Sequence, residues 1–338
     1  MTKRTTIVDI AAEAGVSAKT VSRVLNNEPY VRKDVREKVK KVAADLDYHP
    51  NRNAQGLITR RNFLIGLTYE KPSPSYVVDL QRGALQRLAG ERYRLVVLPF
   101  AEPRKDPSGL VALLRSAMID GVLLAPPSCD IPEVLDALDA AAIRYARITP
   151  GTDPERGASA LLDERAAGRA IAKHIVDLGH RRIGIVLGDP AHAASGARLK
   201  GYLDALDAAR IEPADRLIEE GDFSFASGEL AARRLLGRPD RPSAILAQND
   251  DMAAAVLVVA RDLGLDVPRD LSIAGFDDAE ISRLCWPQLT TVEQPVTAIA
   301  ADATDRLLRL LGDEAIEEPI VHPHRILLRG TTGPRSRG

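Results

Sequence analysis

The chain has 338 residues, 45% of them hydrophobic, and its 46 lysines and arginines against 47 aspartates and glutamates give a formal net charge of −1. It is too long for one small core and too apolar for a disordered protein, so two or three globular units are expected. The two cysteines, Cys129 and Cys285, exclude a disulfide framework and a cysteine-based zinc finger.

The charge is unevenly distributed along the chain. Residues 1–61 contain 13 basic and 7 acidic side chains, a net charge of +6, whereas the remainder has a net charge of −7. This asymmetry suggests a basic binding arm on an acidic body. No segment approaches ~18 consecutive apolar residues, and the N-terminus lacks the apolar core of a secretory signal. We therefore expect a soluble, cytoplasmic protein.

Residues 1–50 have the residue spacing of three short helices. Thr6 is placed to cap the first helix, Gly15 to end it, and Ser17 to cap the second. Two helices joined by a tight glycine-containing turn and backed by a third form a helix-turn-helix unit. The predicted inner faces are Ile7, Ile10, Ala11 and Ala14 in the first helix, Val21, Val24 and Leu25 in the second, and Val35, Val39, Val42 and Leu46 in the third.

The outer face of the second helix consists of small and basic residues, Ala18, Lys19, Ser22 and Arg23. A helix that enters the DNA major groove requires such a face. The alternative is a solvated face on a small helical bundle, and residue spacing alone does not choose between the two.

Four segments of this region, Asp9–Ala11, Ala14–Ser17, Thr20–Asn26 and Tyr48–Asn51, closely resemble the DNA-binding head of the LacI/GalR family of bacterial repressors. The resemblance covers nearly all of residues 5–61, in order and in register. One departure is Arg32, where many relatives have a serine or threonine cap before the third helix. Together with the helix face, the resemblance implies that double-stranded operator DNA is contacted by Thr6, Ser17, Ala18, Lys19, Thr20, Ser22, Arg23, Asn26, Asn51, Arg52, Ala54 and Leu57.

Residues 51–61 are polar and basic except for one exposed-looking leucine, Leu57. A flexible linker is one interpretation. The resemblance favours another, in which this stretch is a hinge that becomes helical only on operator DNA, where Leu57 wedges between base steps and kinks the duplex. Gly56 costs about 1 kcal/mol of helix propensity relative to alanine, so we expect the hinge to be unfolded without DNA.

From residue 62 onward, short apolar runs alternate with segments of helical periodicity. This alternation predicts an α/β body of doubly wound, mostly parallel sheets, long enough to form two lobes. The predicted strands are Phe63–Leu67, Leu95–Leu98, Val122–Ala125, Ile183–Leu187, Ala244–Ala247 and Ile273–Phe276, and the predicted helices include Asp79–Ala89, Ala166–Leu178 and Ser227–Leu236.

The body also resembles the LacI/GalR family, and through it the periplasmic sugar-binding fold, in Leu178–Ile183, Gln248–Asp250, Leu271–Asp278 and Thr290–Pro295. The resemblance implies that the chain crosses between the lobes near residues 162, 292 and 322. The predicted domains are a helix-turn-helix head at 1–50, a hinge at 51–61, and an effector-binding and dimerisation body at 62–338. Within this body the N-lobe comprises about 62–162 plus 293–322, and the C-lobe about 163–292 plus 323–330.

Open parallel sheets bind ligands beyond the carboxyl ends of their strands, where Asn249 and Asp277 each follow a predicted strand. An aromatic face beside carboxylate, amide and guanidinium groups suits a sugar-like ligand. For each residue alone, a helix cap or a loop ion pair is the more common role, whereas the whole set in this order favours a ligand pocket. The predicted effector contacts are Arg198, Phe223, Asn249, Asp277 and Gln294, which match family positions, and Arg147 and Tyr76, which are placed by loop position only.

The sequence lacks a glycine-rich phosphate loop, Gly-x-Ser-x-Gly and His-Glu-x-x-His. His322 and His324 could share a strand face as metal ligands, but they have no third ligand at metal spacing. Asp277 and Asp278 could be a carboxylate pair for glycoside hydrolysis, but adjacent residues at a strand end should point apart, which makes such a pair improbable. We therefore predict no catalytic residue, metal or cofactor. The alternative from another class is a sugar-processing enzyme fused to a DNA-binding head.

The sequence is thus interpreted as a homodimeric transcriptional repressor whose affinity for a palindromic operator is controlled by a small sugar-like effector. The C-terminal segment has no leucine heptads that would form a tetramer, so a dimer is expected, without membrane association.

Overall fold

The computed structural model describes residues 5–25, 29–48, 61–70, 73–316 and 318–335. The boundary between its two structural units falls between Asn62 and Phe63. No helix in this described part of the chain is both long and apolar enough to span a membrane.

The N-terminal unit contains the three predicted helices, α1 (Ile7–Ala14), α2 (Ala18–Leu25) and α3 (Lys33–Asp45). Thr6 and Asp9 form a capping box at the start of α1, and Gly15 ends this helix with a left-handed φ of 64°. The Ser17 hydroxyl accepts a hydrogen bond from the Thr20 N–H at 3.1 Å and so caps α2. The buried core of the unit consists of Ile10, Ala11, Ala14, Val21, Val24, Val39 and Ala43.

The third helix differs from the prediction at its C-terminal end. Leu46 was expected on the inner face but lies one residue beyond α3 and is 37% exposed. Ala43 is buried in its place, since it follows Val39 by four positions on the same helix face. Arg32 precedes α3 without a side-chain capping hydrogen bond, as its residue type implies.

The body contains two six-stranded sheets. In the first sheet the spatial order is β11-β5-β4-β3-β1-β2, and every pair is parallel. These strands are β1 (Leu64–Thr68), β2 (Arg94–Val97), β3 (Gly121–Leu124), β4 (Arg144–Ile148), β5 (Ala158–Leu162) and β11 (Ile320–His322). Its helices are α4 (Pro74–Arg87), α5 (Pro107–Ser116), α6 (Pro132–Ala140) and α12 (Val296–Leu311).

In the second sheet the spatial order is β12-β10-β9-β8-β6-β7, parallel except for the antiparallel pair of β10 and β12. The strands are β6 (Ile183–Val186), β7 (Arg216–Glu219), β8 (Ala244–Ala247), β9 (Ser272–Asp277), β10 (Thr290–Glu293) and β12 (Arg325–Leu327). The helices are α7 (Glu164–Asp177), α8 (Ala193–Ala208), α9 (Phe225–Leu236), α10 (Asp250–Asp262) and α11 (Glu280–Leu284). The predicted fold class, a helix-turn-helix head before a doubly wound α/β body, is confirmed.

The chain passes between the two sheets three times, and these crossovers position the site described below. The first lies between β5 and α7, the second between β10 and α12, and the third between β11 and β12. Residues at the first two crossovers, Glu164 and Gln294, are both buried.

Helices α7 and α8 approach each other closely because two glycines lie at their contact. A Cβ atom on Gly168 of α7 would lie 2.7 Å from the Arg198 carbonyl oxygen, and one on Gly201 of α8 would overlap the Arg165 carbonyl. The absent side chains let the two backbones meet. This contact brings the start of α7, with Glu164, beside Arg198 of α8.

Candidate functional site

The carboxyl ends of both sheets border a cavity that is open to solvent and has a volume of about 520 Å³ when the solvent-filled opening is included. Six of the seven predicted effector contacts line it, whereas Arg147 does not. The lining residues are Ser73, Tyr76, Pro126, Thr149, Glu164, His192, Ala194, Arg198, Phe223, Asn249, Asp277 and Gln294.

Arg198 lies at the centre of the polar lining and is 4% exposed. Its Nε donates to Glu164 Oε2 at 2.8 Å, and another guanidinium nitrogen donates to the Gln248 carbonyl at 2.5 Å. The third nitrogen lies 3.4 Å from Asp277 Oδ1. The guanidinium also stacks on the Phe276 ring, 3.6 Å from its centroid. Burial alone would lower the pKa of Arg198, but the two carboxylates raise it, so the side chain stays charged.

Asp277 ends β9 and presents a carboxylate to this arginine. Burial raises its pKa to about 7, and the neighbouring Glu164 adds to the rise, while Arg198 opposes it. Among the described residues, Arg198 is its one hydrogen-bonding or ionic partner, and it approaches Oδ1. The other carboxylate oxygen is therefore available to a ligand hydroxyl.

Asn249 and Phe223 form the opposite part of the lining. Asn249 caps α10, since its Oδ1 accepts from the Met252 N–H at 3.0 Å, and its Nδ2 donates to the Phe223 carbonyl at 2.8 Å. Both interpretations from the sequence thus hold for Asn249, which is a helix cap and a lining residue. The Phe223 ring meets His192 edge-to-face at 5.3 Å between centroids, and burial lowers the pKa of His192, which favours its neutral form.

Three lining residues have left-handed backbone conformations that non-glycine residues rarely adopt. The φ angles are 45° at Thr149, 68° at Phe223 and 106° at Asp277. Such strain is maintained only where the surrounding structure enforces it, and it concentrates at ligand sites. Its presence at three lining positions supports the cavity as a binding site.

Arg147 lies outside the cavity for a clear physical reason. It is fully buried, and its guanidinium donates to the carbonyls of Cys129, Thr152, Asp153 and Arg156. These bonds fix the loop that follows Thr149, so Arg147 positions a lining residue instead of contacting a ligand. Asp278 also points away from the cavity, to Arg283 and Arg329, as expected for the neighbour of Asp277 on a strand end.

The sequence reasoning missed two lining residues that matter for the chemistry, Glu164 and His192. Glu164 follows the Asp163 cap of α7, and His192 precedes α8. Glu164 was missed because β5, the strand before it, was not predicted. His192 comes after the predicted strand β6, but no signal in the sequence distinguished it from the other residues of that loop. Within the described residues no group of three histidine, cysteine, aspartate or glutamate side chains could hold a metal ion.

The N-terminal unit exposes the predicted DNA-contacting face. Ser17, Ala18, Lys19 and Arg23 are exposed on or beside α2, on the side opposite the buried Val21 and Val24. Thr6 is also exposed, whereas Thr20 and Ser22 are partly buried. The remaining predicted contacts, Asn26, Asn51, Arg52, Ala54 and Leu57, lie outside the described residues.

Comparison with known proteins assigns both parts of the chain. Residues 6–51 match the family model for bacterial regulatory proteins of the lacI family, and residues 172–332 match a periplasmic binding protein-like domain. Catabolite control protein A of Priestia megaterium is 31% identical over 97% of this chain and 99% of its own length. The chain belongs to the lacI family. The transcriptional regulator GalR of Escherichia coli is also similar to this lacI-family chain, with 32% identity over 93% of the chain and 91% of GalR.

Solved structures agree with the family assignment. A lac repressor dimer bound to operator and the anti-inducer ONPF superimposes with a TM-score of 0.86 and 28% identity, covering 98% of this chain and all of that one. A complex of the regulator CelR with cellobiose gives a TM-score of 0.73 and 29% identity, covering 97% of this chain. The resemblance stated from the sequence is therefore confirmed, and this lacI-family chain is a DNA-binding transcriptional regulator.

Proposed function

We propose that this lacI-family regulator is a homodimeric repressor of carbohydrate-utilisation genes, acting in the bacterial cytoplasm, where the DNA is. Two copies of α2 read the half-sites of a palindromic operator, and residues 51–61 bend it. A sugar-like effector in the cavity changes operator affinity by favouring one arrangement of the two lobes.

The observation that carries the proposal is the pairing of two sites in one chain. The α2 face offers small and basic side chains at exposed positions, and the body holds a cavity lined by Asp277, Arg198 and Asn249. Carboxylate and amide groups can hydrogen-bond sugar hydroxyls, while the Phe223 ring covers C–H surfaces. Similar proteins bind operator DNA and cellobiose, which supports the same two ligand classes here.

A dimer is supported by one surface of α4 and by the relative whose structure is a dimer. Val78 and Leu85 are 51% and 54% exposed and lie seven positions apart, so they share a helix face with Gln81 and Arg82. A second copy of the chain would cover this face.

The test combines selection of operator sequences with ligand screening on the intact protein. Binding-site selection should return a palindrome, and a sugar that raises the melting temperature should also change affinity for that palindrome. Sedimentation should give a dimer. Turnover of the sugar would favour the enzyme alternative, whereas a regulator returns its ligand unchanged. Selection without any preferred sequence would overturn the repressor assignment.

A further inference from the structure

The cavity lining contains more acidic than basic side chains. Two carboxylates, Glu164 and Asp277, face one guanidinium, Arg198, and among the described lining residues there is no lysine or second arginine. His192 adds no fixed positive charge, since burial disfavours its protonated form.

The single arginine is already occupied by protein groups. Glu164 takes two of its nitrogens, at 2.8 and 3.3 Å, and the Gln248 carbonyl takes the remaining one at 2.5 Å. A phosphate is best bound by a guanidinium that can present two free N–H groups. To bind a phosphate, Arg198 would have to leave a buried, nearly ideal carboxylate pair, which is costly.

Helix N-termini at the cavity are also largely occupied. Asp163 caps α7 through the Ala166 N–H at 2.9 Å, and Asn249 caps α10. Helix α8 is the exception, because His192 precedes it without a side-chain capping hydrogen bond. Its positive end could attract an anion, but a terminus carries only about half a charge, which the two carboxylates outweigh.

From this charge arrangement we propose that the effector is a polyol that carries no anionic group, a sugar without a phosphate, and that Glu164 is the residue that excludes sugar phosphates. The inference rests on the proposed sugar-binding role of the cavity and narrows its ligand class. A phosphate ester carries −1.5 to −2 charges near pH 7, so it is repelled by Glu164 and by the ionised fraction of Asp277, without a free cation to offset the repulsion. Hydroxyl groups, by contrast, can donate to the unpaired oxygen of Asp277.

The first experiment compares matched ligands on the intact wild-type protein by thermal shift and calorimetry. The probes are glucose, galactose, fructose and ribose, each beside its monophosphate ester, with cellobiose added. We expect at least one neutral sugar to bind, and its phosphate ester to bind at least about tenfold more weakly. An ester that binds as tightly as the neutral parent overturns the inference and leaves the sugar-binding role intact. If no probe binds, the proposed sugar effector fails, and the inference fails with it.

The second experiment assigns the exclusion to Glu164. The substitution Glu164→Gln keeps the shape and removes one negative charge, and Glu133→Gln, an exposed glutamate in the first turn of α6, is the matched control. In Glu164→Gln the ratio of ester to parent dissociation constants should fall by about tenfold, while the control keeps the wild-type ratio. An unchanged ratio, or loss of all sugar binding, overturns the role of Glu164.

Lys71 precedes Ser73 by two positions and lies outside the described residues. The ratio of ester to parent dissociation constants is therefore also measured for Lys71→Gln, and this substitution should leave the ratio at its wild-type value. A ratio that rises in this variant would show that a lysine offsets the carboxylates, contrary to the inference.

Discussion

Asp277 combines a left-handed backbone, a largely buried carboxyl group and one arginine partner for that group. These features are unfavourable for folding, because the charged form of a buried carboxylate loses its hydration and a φ of 106° is strained in any residue but glycine. We therefore expect Asp277 to serve ligand binding rather than the fold. The strand-end position that predicted Asp277 from the sequence could not show this cost, which depends on burial.

The raised pKa of Asp277 predicts how stability varies with pH. In the unfolded chain an aspartate has a pKa of about 3.9, whereas in the folded state that of Asp277 is about 7. The folded state therefore binds the proton more tightly, and the stability contributed by this group is present below about pH 4 and lost as the pH rises through 7.

Asp277→Asn should accordingly be more stable than the wild type at pH 8, by about 1 to 4 kcal/mol, because one pKa unit corresponds to 1.36 kcal/mol. The difference should shrink toward pH 4. Denaturant unfolding between pH 4 and 8 measures it, with Asp204→Asn, which breaks the surface pair with Arg165, as a control of little effect. A variant less stable than the wild type at pH 8 would mean that the carboxylate supports the fold.

Lys19 is the second residue whose role can be isolated. It is exposed at the second position of α2, where a recognition helix meets base edges, and it can donate to guanine O6 and N7. Lys19→Ala should cost about 1–3 kcal/mol of operator affinity and relax base preference at one position in each half-site. Lys40→Ala, an exposed lysine on α3, removes the same charge and should leave the preference intact. If selection on Lys19→Ala returns the wild-type preference, Lys19 contacts only phosphate.

At the scale of elements, the sequence predicted those units whose periodicity is strong. The six apolar runs correspond to β1, β2, β3, β6, β8 and β9, within one or two residues at each end. Strands β7, β11 and β12 were missed because they are short, lie at or near sheet edges and are only partly buried. Strand β4 was missed because two arginines interrupt its sequence, although Arg147 is fully buried there. The carbonyl partners of Arg147 belong to Cys129 and to the loop that follows β4, and hydrophobic periodicity carries no information about such backbone partners.

The contact between α7 and α8 gives a prediction with an internal control. Alanine normally stabilises a helix relative to glycine by about 1 kcal/mol. At Gly201 the new Cβ would collide with the Arg165 backbone, so Gly201→Ala should instead destabilise the protein by about 1–3 kcal/mol. Gly196 in the same helix has open space at its Cβ position, and Gly196→Ala should be neutral or stabilising.

Denaturant unfolding measures the free energy of unfolding of both variants and so tests this prediction. Equal stability changes at the two positions would show that helix α8 shifts without cost, and that the close approach does not fix Arg198 beside Glu164.

At the scale of the whole molecule, the polar network of the cavity joins two of the three crossovers between the sheets. Glu164 lies at the first crossover and Gln294 at the second. Arg198 of α8 approaches both, at 2.8 Å to Glu164 Oε2 and 3.4 Å to Gln294 Oε1, and Gln294 Nε2 lies 3.5 Å from Glu164 Oε1. We therefore expect a ligand that contacts Asp277 and Arg198 to act on the crossover segments that connect the two sheets.

This arrangement separates effector binding from its transmission to the operator, and two variants test the separation. Asp277→Ala removes the hydroxyl acceptor, and charged hydrogen bonds of this type contribute about 1.5–3 kcal/mol each. It should weaken effector binding strongly, with operator affinity near that of the wild type when no effector is present. Gln294→Ala removes the link at the second crossover, so at saturating effector it should reduce the coupling between the sites by about 0.5–2 kcal/mol.

The measurements are melting temperature, effector affinity, and operator affinity with and without a sugar identified by screening. In Asp277→Ala, operator release should require far more sugar but reach the wild-type extent where saturation is possible. In Gln294→Ala, release should remain incomplete even at saturation. A lowered melting temperature with normal release in Asp277→Ala would make that residue structural. Full release at saturation in Gln294→Ala would place the coupling elsewhere, since the second crossover would then move without its amide link to Glu164 and Arg198.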